Sequence, residues 1–270
     1  WHVDYLGRRY SYGPGYYSRV WATIDGEEYY FAEHTGYAYT GYKTITDNRN
    51  DPNASLRWYH FAEDGKLLER MTLTGVLETE DGLYYMEEGV ATYAGVVKVG
   101  DDYYCAADKF GKVLTGKQWI GTYLVGISKN PVEKGYYEFA ADGKMLQGIV
   151  EKEDGTYYYQ MGKPFDAGWV KDGDDYYVFT NGGKAVTGKQ WIGTYLNSTS
   201  KDPYAVGTFV FDAKGKLANG VVYLEDVAYY CEKGVAVEKG LVKIGDDYYY
   251  ADTNGVLATG RIWVGTYPSH

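Results

Sequence analysis

The chain is 270 residues long and carries 33 Tyr and 36 Gly, with 6 Pro and 2 Cys; such a mixture suits many short strands closed by tight Gly turns. It excludes a helical bundle, which needs Ala, Leu and Glu, and a disordered chain, which is poor in aromatics. The formal net charge of −10 argues against nucleic acid and an anionic membrane surface, and no apolar run approaches the ~20 residues of a membrane span.

The N-terminal stretch is the least regular. No signal peptide is visible, and a start at Trp1 rather than Met reads as a trimmed chain. Trp1 and Tyr5 form a Trp-x-x-x-Tyr, with Pro14 shortly after. Tyr29-Tyr30-Phe31 through Thr40-Gly41 reads as a hairpin, and Thr44 then stands where later copies place a Trp. A loop containing Asp51-Pro52 comes next, before Trp58-Tyr59.

From Gly100 the chain repeats openly. GDDYY occurs at 100–104, 173–177 and 245–249. GKQWIGTY occurs at 116–123 and 188–195, and GRIWVGTY at 260–267, which sets Trp119, Trp191 and Trp263 at one constant spacing. Within a module, aromatic pairs such as Tyr136-Tyr137, Tyr157-Tyr158 and Tyr176-Tyr177 recur at nearly equal intervals. Each leads to a turn such as Ala141-Asp142-Gly143-Lys144, an aliphatic pair and a Gly. Asp-Gly and Asn-Gly between short apolar runs are hairpin signals. The expected fold is therefore all-β, a β-hairpin repeat solenoid built from ~72-residue modules of three hairpins and one longer insertion. One repeat-built domain, 1–270, would hold modules at about 1–48 (a degenerate cap), 49–123, 124–195 and 196–270. Stacking buries most Tyr, since a single hairpin cannot bury its own face.

These hairpins, with an aromatic doublet, a Gly turn and a closing Thr-Gly, resemble the cell-wall-binding and glucan-binding repeats of Gram-positive surface proteins. The Trp-Ile-Gly-Thr-Tyr supermodule resembles, more narrowly, the second starch-binding domain of starch-adherence (amylosome) proteins from gut bacteria. The first resemblance implies a β-solenoid that binds choline on teichoic acid, or glucans. The second implies a two-lobed, non-catalytic fold that holds helical α-1,4-glucan. Both imply a secreted or cell-surface setting, within a larger surface protein or complex.

The residues themselves suggest where a ligand would lie. Read as a strand, Trp119-Ile120-Gly121-Thr122-Tyr123 puts Trp119 and Tyr123 on one face with a gap at Gly121 between them. Flat aromatics can hold the apolar faces of sugar rings. The next insertion, about 12 residues long, offers Asn130 in one module, and Asn197 and Lys201 in the following one, to sugar hydroxyls. The expected ligand-binding set is Trp119, Tyr123, Asn130, Trp191, Tyr195, Asn197 and Lys201, with Trp263 and Tyr267 ranked after them. The competing reading makes each Trp a packing knob repeated with the fold. Trp58 reads as core; Trp169, where other modules have Val96 and Leu241, reads as core or as a site of its own.

The Asp pairs at 101–102, 174–175 and 246–247 read as turn geometry, and the four His at 2, 34, 60 and 270 have no metal-ligand spacing. No nucleophile elbow, phosphate loop or dinucleotide fingerprint is present, so neither enzyme chemistry nor a cofactor or metal is expected. Cys105 and Cys231 read as unpaired, partly buried thiols. The leading expectation is a non-catalytic carbohydrate-binding module for α-1,4-glucan or maltooligosaccharide. The alternatives are a module that anchors to choline or teichoic acid of the cell wall, and a protein-binding adhesion or spacer solenoid.

Overall fold

A computed structural model describes residues 1–12, 15–46, 54–237 and 239–265. The chain divides into two compact units, Trp1–Met145 and Leu146–His270, so their boundary falls inside the expected module 124–195. Among the described residues, the regular structure of both is antiparallel hairpins apart from two short helices.

In the first unit the main hairpins are Val20–Ile24 with Glu27–Phe31, Gly41–Thr46 with Leu56–Phe61, Gly75–Thr79 with Gly82–Glu87, Gly95–Val99 with Asp102–Ala106, and Gly116–Ile120 with Gly135–Phe139. In the second they are Gly148–Lys152 with Gly155–Gln160, Gly168–Asp172 with Asp175–Phe179, Gly188–Ile192 with Gly207–Phe211, Gly220–Leu224 with Val227–Glu232, and Gly240–Ile244 with Asp247–Ala251.

The hairpins lie half a unit away from where the Asp-Gly turns suggested. The long pairings run from a Gly-led aliphatic strand into the aromatic strand, closed by two-residue loops such as Gly100-Asp101. The Asp142-Gly143 turn instead closes a single bridge, Phe139 to Met145. The reason lies just beyond the turn. The Met145 N–H donates to Tyr103 O of an earlier hairpin at 2.7 Å, so the strand is diverted after one residue. The same junction recurs: Val113 donates to Leu83, Ala185 to Thr156, Leu217 to Tyr176 and Leu257 to Ala228. Backbone hydrogen bonds therefore tie these turns to a preceding hairpin, in three of them with a return bond, Tyr85 N–H to Gly111 O, Tyr158 N–H to Gly183 O and Tyr230 N–H to Gly255 O, and side-chain burial supplies the rest.

That burial follows the period of the strand. Val96 and Cys105 pair on one face and pack with Ile120, Tyr137, Phe139 and Met145. Val97 and Tyr104 pair on the other and pack with Tyr85, Ala94 and Val113. A hairpin between two neighbours is thus apolar on both sides, and each fully buried Val or Phe is worth roughly 1.5–3 kcal/mol. Cys105 and Cys231 are free and buried completely rather than partly.

The N-terminal Trp1 packs on Tyr29 with ring centroids 4.7 Å apart, and the Arg8 guanidinium lies over it at 4.2 Å. The expected landmarks Pro14 and Asp51-Pro52 lie outside the described residues.

Candidate ligand-binding surface

The strand carrying Trp119 ends at Ile120. Residues Thr122–Ile127 form a short helix, α1, and Thr194–Ser198 form its counterpart, α2. The expected five-residue strand, with Trp119, Gly121 and Tyr123 on one face, is therefore corrected. Trp119 belongs to a strand and Tyr123 to the first turn of a helix, and the same holds for Trp191 and Tyr195.

The helices form because their loops are fastened to a neighbouring hairpin. The Ser128 hydroxyl donates to Leu124 O and accepts the Val96 N–H at 2.8 Å, while the Asn130 N–H donates to Val96 O at 3.1 Å. In the second unit Ser200 accepts the Trp169 N–H at 2.6 Å and donates to Leu196 O. Asp202 donates its N–H to Trp169 O, and its carboxylate accepts the Lys171 N–H at 3.0 Å. Gly95 and Gly168 make this approach possible. A Cβ on Gly95 would stand 2.5 Å from both Leu124 O and Ser128 Oγ, and one on Gly168 would stand 2.7 Å from Ser200. The insertions thus act first as clamps on the preceding hairpin.

Trp119 and Trp191 are 52% and 66% exposed, although the next residue in each strand, Ile120 or Ile192, is buried. Trp119 stands opposite Tyr136, with ring centroids 5.0 Å apart at 65°, and Lys117 lies over the Tyr136 ring at 5.6 Å. Trp191 stands opposite Thr208 and Lys189 opposite Val210, so these four positions carry no carboxylate. The expected gap at Gly121 is filled from within. A Cβ there would lie 3.3 Å from the Trp119 indole Nε1, and one at Gly193 would lie 3.6 Å from that of Trp191. The glycines make room for the indoles themselves.

The other expected residues separate. Tyr123 is exposed and lies 5.4 Å from the Tyr93 ring, while Tyr195 is exposed too. Asn197 is engaged inside its loop, where Oδ1 accepts the Tyr204 N–H at 3.0 Å. Lys201 donates to the Tyr158 hydroxyl at 2.8 Å, and this bond holds its ammonium above the usual lysine range. Its counterpart Lys129 pairs with Glu87. Burial pushes the Glu87 carboxyl up, but its bonds from Lys129 and Tyr85 outweigh this and hold it below the usual range. Asn197 and Lys201 are thus braces within the fold. Trp263 is 87% exposed and lies outside any strand, and Tyr267 lies outside the described residues.

Sequence reasoning missed Tyr136 as the ring facing Trp119, although the matching separation links Trp191 to Thr208. It also missed Tyr204. Trp169 is completely buried, donates its indole N–H to Ala205 O at 3.2 Å, and sits among Tyr176, Tyr204 and Phe209. Such a box of rings could surround a quaternary ammonium. Here Tyr204 from the chain's own loop packs into it, 5.0 Å from Trp169 and 4.7 Å from Tyr176. An open cleft of about 780 Å³ beside it is lined by Tyr176, Tyr204, Leu217, Val222, Asp212 and Lys233. In the first unit a cleft of about 770 Å³ is lined by Tyr42, His60, Leu68, Glu78 and Asp81, with the Tyr42 and His60 rings stacked at 4.2 Å. Among the described residues no three His, Cys, Asp or Glu side chains gather to hold a metal ion.

Residues 239–257 match the family model described as "Putative cell wall binding repeat". The match covers the Gly240–Ala251 hairpin and the turn after it. Similar solved structures include CbpJ from Streptococcus pneumoniae, at 19% identity over 95% of this chain and 93% of that one, with a TM-score of 0.36. Choline binding protein F from the same organism, in the presence of a peptidoglycan analogue, is 20% identical over 95% and 92% of the two chains, with a TM-score of 0.35. The choline-binding domain of CbpL, also from S. pneumoniae, is 18% identical over 90% and 98%, with a TM-score of 0.32. No curated protein matches the chain. Among the described residues no helix is long and apolar enough to cross a membrane.

Proposed function

We propose that the chain is a non-catalytic attachment module of the cell surface, which holds a cell-wall polymer against its exposed tryptophans. The observation that carries this reading is the pair Trp119 and Trp191. They occupy matching positions in the two units, each indole exposed beside a glycine and each next to a buried isoleucine. Open indole faces stack on the C–H faces of sugar rings, and the neighbouring Lys117 and Lys189 can donate to sugar hydroxyls or to phosphate. The cell-wall-binding repeat matched at 239–257 supports the wall as the source of that polymer.

Within this reading sugar rings fit the Trp191 platform better than a bare quaternary ammonium does, whereas beside Trp119 a carboxylate, that of Glu138, stands opposite Lys117. The Trp191 platform carries no carboxylate to balance such a cation, and Tyr204 fills the ring box around Trp169. An α-1,4-glucan presents the same kind of ring and is tested in the same experiment. The protein is offered purified Gram-positive walls, choline-bearing and choline-free teichoic acid, peptidoglycan glycan strands and amylopectin. Binding to walls, teichoic acid or glycan strands, lost in the Trp119→Ala/Trp191→Ala double variant that still folds, supports the proposal and names the ligand; binding to amylopectin alone would overturn it. Elution by free choline, with the double variant binding as before, would overturn it.

A further inference from the structure

Two groups that the tryptophan platforms leave unexplained lie close together in the first unit. Tyr123, in the first turn of α1, is 63% exposed, and its ring lies 5.4 Å from that of Tyr93 at 35°. The two rings make a shallow, bent aromatic surface. Beyond the helix, Lys129 reaches Glu87 at an open cleft of about 640 Å³. Thr92, which directly precedes Tyr93, lines the same cleft together with Thr74 and Tyr85. The aromatic surface and the cleft are thus joined by two short connections, Thr92 to Tyr93 and Tyr123 to Lys129.

The polar groups of the cleft are only half used. The Tyr85 hydroxyl donates to Glu87 Oε1 at 2.8 Å, and the Lys129 ammonium donates to the same oxygen. Among the described residues no group donates to Glu87 Oε2, and Lys129 keeps its remaining N–H groups. An acceptor and a donor therefore stand side by side. Such a pair suits neighbouring hydroxyls on a sugar ring, one donating to the carboxylate and the next accepting from the ammonium. A chain of such rings can lay an apolar C–H face on the adjoining tyrosines.

We infer that Tyr93, Tyr123, Lys129 and Glu87 form a further subsite for hydroxyl-bearing pyranose rings, separate from the tryptophan platforms and resting on their reading as sugar-binding surfaces. The second unit shows what the subsite needs, because it keeps the backbone and lacks the groups. Tyr85, Glu87, Thr92 and Tyr93 correspond there to Tyr158, Gln160, Phe165 and Asp166. The same backbone bond recurs, from Thr92 N–H to Tyr85 O and from Phe165 N–H to Tyr158 O. In that copy Lys201 donates to the Tyr158 hydroxyl, and an amide replaces the carboxylate at 160. The Phe165 ring packs on Tyr158 at 5.4 Å, in the place where Thr92 lines the cleft of the first unit. Tyr195 has Asp166 in place of a partner ring. The subsite therefore belongs to the first unit alone.

The test titrates a tetrasaccharide cut from peptidoglycan glycan strands into the isotope-labelled chain and follows its amide signals by NMR. Two groups of amides should shift, one around Trp119 and Trp191 and one at Thr92, Tyr93 and Lys129. Lys129→Met and Tyr123→Ala alter exposed side chains, so both proteins should fold. Each should weaken binding at the second group about tenfold, the scale of one lost charged hydrogen bond or one lost stacking ring, and leave the tryptophan group as it was. The Trp119→Ala/Trp191→Ala protein should do the reverse. Shifts at the tryptophans alone would overturn this inference and leave the platforms standing. Shifts at the second group alone would support it and overturn the platforms. Binding at Thr92 and Tyr93 that survives both Lys129→Met and Tyr123→Ala unchanged would also overturn it.

Discussion

Trp119 and Tyr136 face each other across paired strands, their ring centroids 5.0 Å apart, whereas Trp191 faces Thr208. One platform is therefore a two-ring surface and the other a single indole. Trp119→Ala and Trp191→Ala should each weaken polymer binding by about 1–3 kcal/mol, by analogy with interface aromatics, with Trp119→Ala the more damaging. The double change should nearly abolish binding through lost avidity. In calorimetry the only stability cost should be the loss of the Trp119–Tyr136 pair, about 0.5–1.5 kcal/mol. A core-scale fall in melting temperature would show that these indoles are packing residues.

The two buried tryptophans should respond unequally to the same conservative change. The Trp58 indole nitrogen is buried with no hydrogen-bond partner among the described residues, whereas that of Trp169 bonds to Ala205 O. Trp58→Phe leaves a cavity but also removes an orphaned donor, and should lower the denaturant midpoint clearly less than Trp169→Phe does. Trp169→Phe strips a partner from Ala205 O and leaves a cavity, and should cost about 2–4 kcal/mol. Equal losses in urea titrations would contradict the hydrogen-bond assignment.

Gly95 and Gly240 have nearly the same backbone, with φ of 59° and 58°, but only Gly95 is pressed by a helix. Gly240→Ala should cost only the left-handed strain, about 1–2 kcal/mol. Gly95→Ala should cost visibly more, because the new Cβ drives Leu124 O and Ser128 away. Limited proteolysis should then cut the 122–132 segment in Gly95→Ala and spare it in Gly240→Ala. If the segment stays protected, the clamp is not what holds the helix.

Burial pushes the Cys105 thiol up to about 12 and the Cys231 thiol up to about 11. An unfolded chain releases these protons near pH 8.5. Both states keep them below that value, so stability is full there; above it the unfolded state loses protons that the folded state retains, and stability falls as pH rises. Between pH 8.5 and 10 the melting temperature should decline, and Cys105→Ala should make the decline shallower. A thiol reagent at pH 8 should label neither cysteine until the protein unfolds.

The repeat was legible in the sequence because the same strings return at a constant spacing and hairpins stack only by being alike. Its register was not. Asp142-Gly143 carries the stronger local turn signal, yet Met145 is drawn to Tyr103 of another hairpin, a tertiary bond no local rule contains. The helices were hidden by poor helix formers, Thr, Tyr, Val and Gly in α1 and Thr, Tyr, Asn and Ser in α2. A clue lay in the four-residue spacing of Leu124 and Ser128, repeated in Leu196 and Ser200, which sets both on one helical face. For the candidate site, the tryptophan spacing marked the positions now seen exposed. Asn197 and Lys201 could not be told from ligand contacts, because Asn197 is engaged by the fold of its own loop at Tyr204 and Lys201 by Tyr158 of a distant hairpin.

The junctions that tie each turn to an earlier hairpin also bear on how the protein forms. Val113 meets Leu83, and Met145 meets Tyr103, with a single hairpin lying between the partners in each case. Backbone contacts of such short reach favour fast folding. A hairpin emerging during synthesis would find its docking partner already made, and assembly could start at any point within a unit and spread from there. Loss of one junction would then stall a local stretch and leave the hairpins behind it in place.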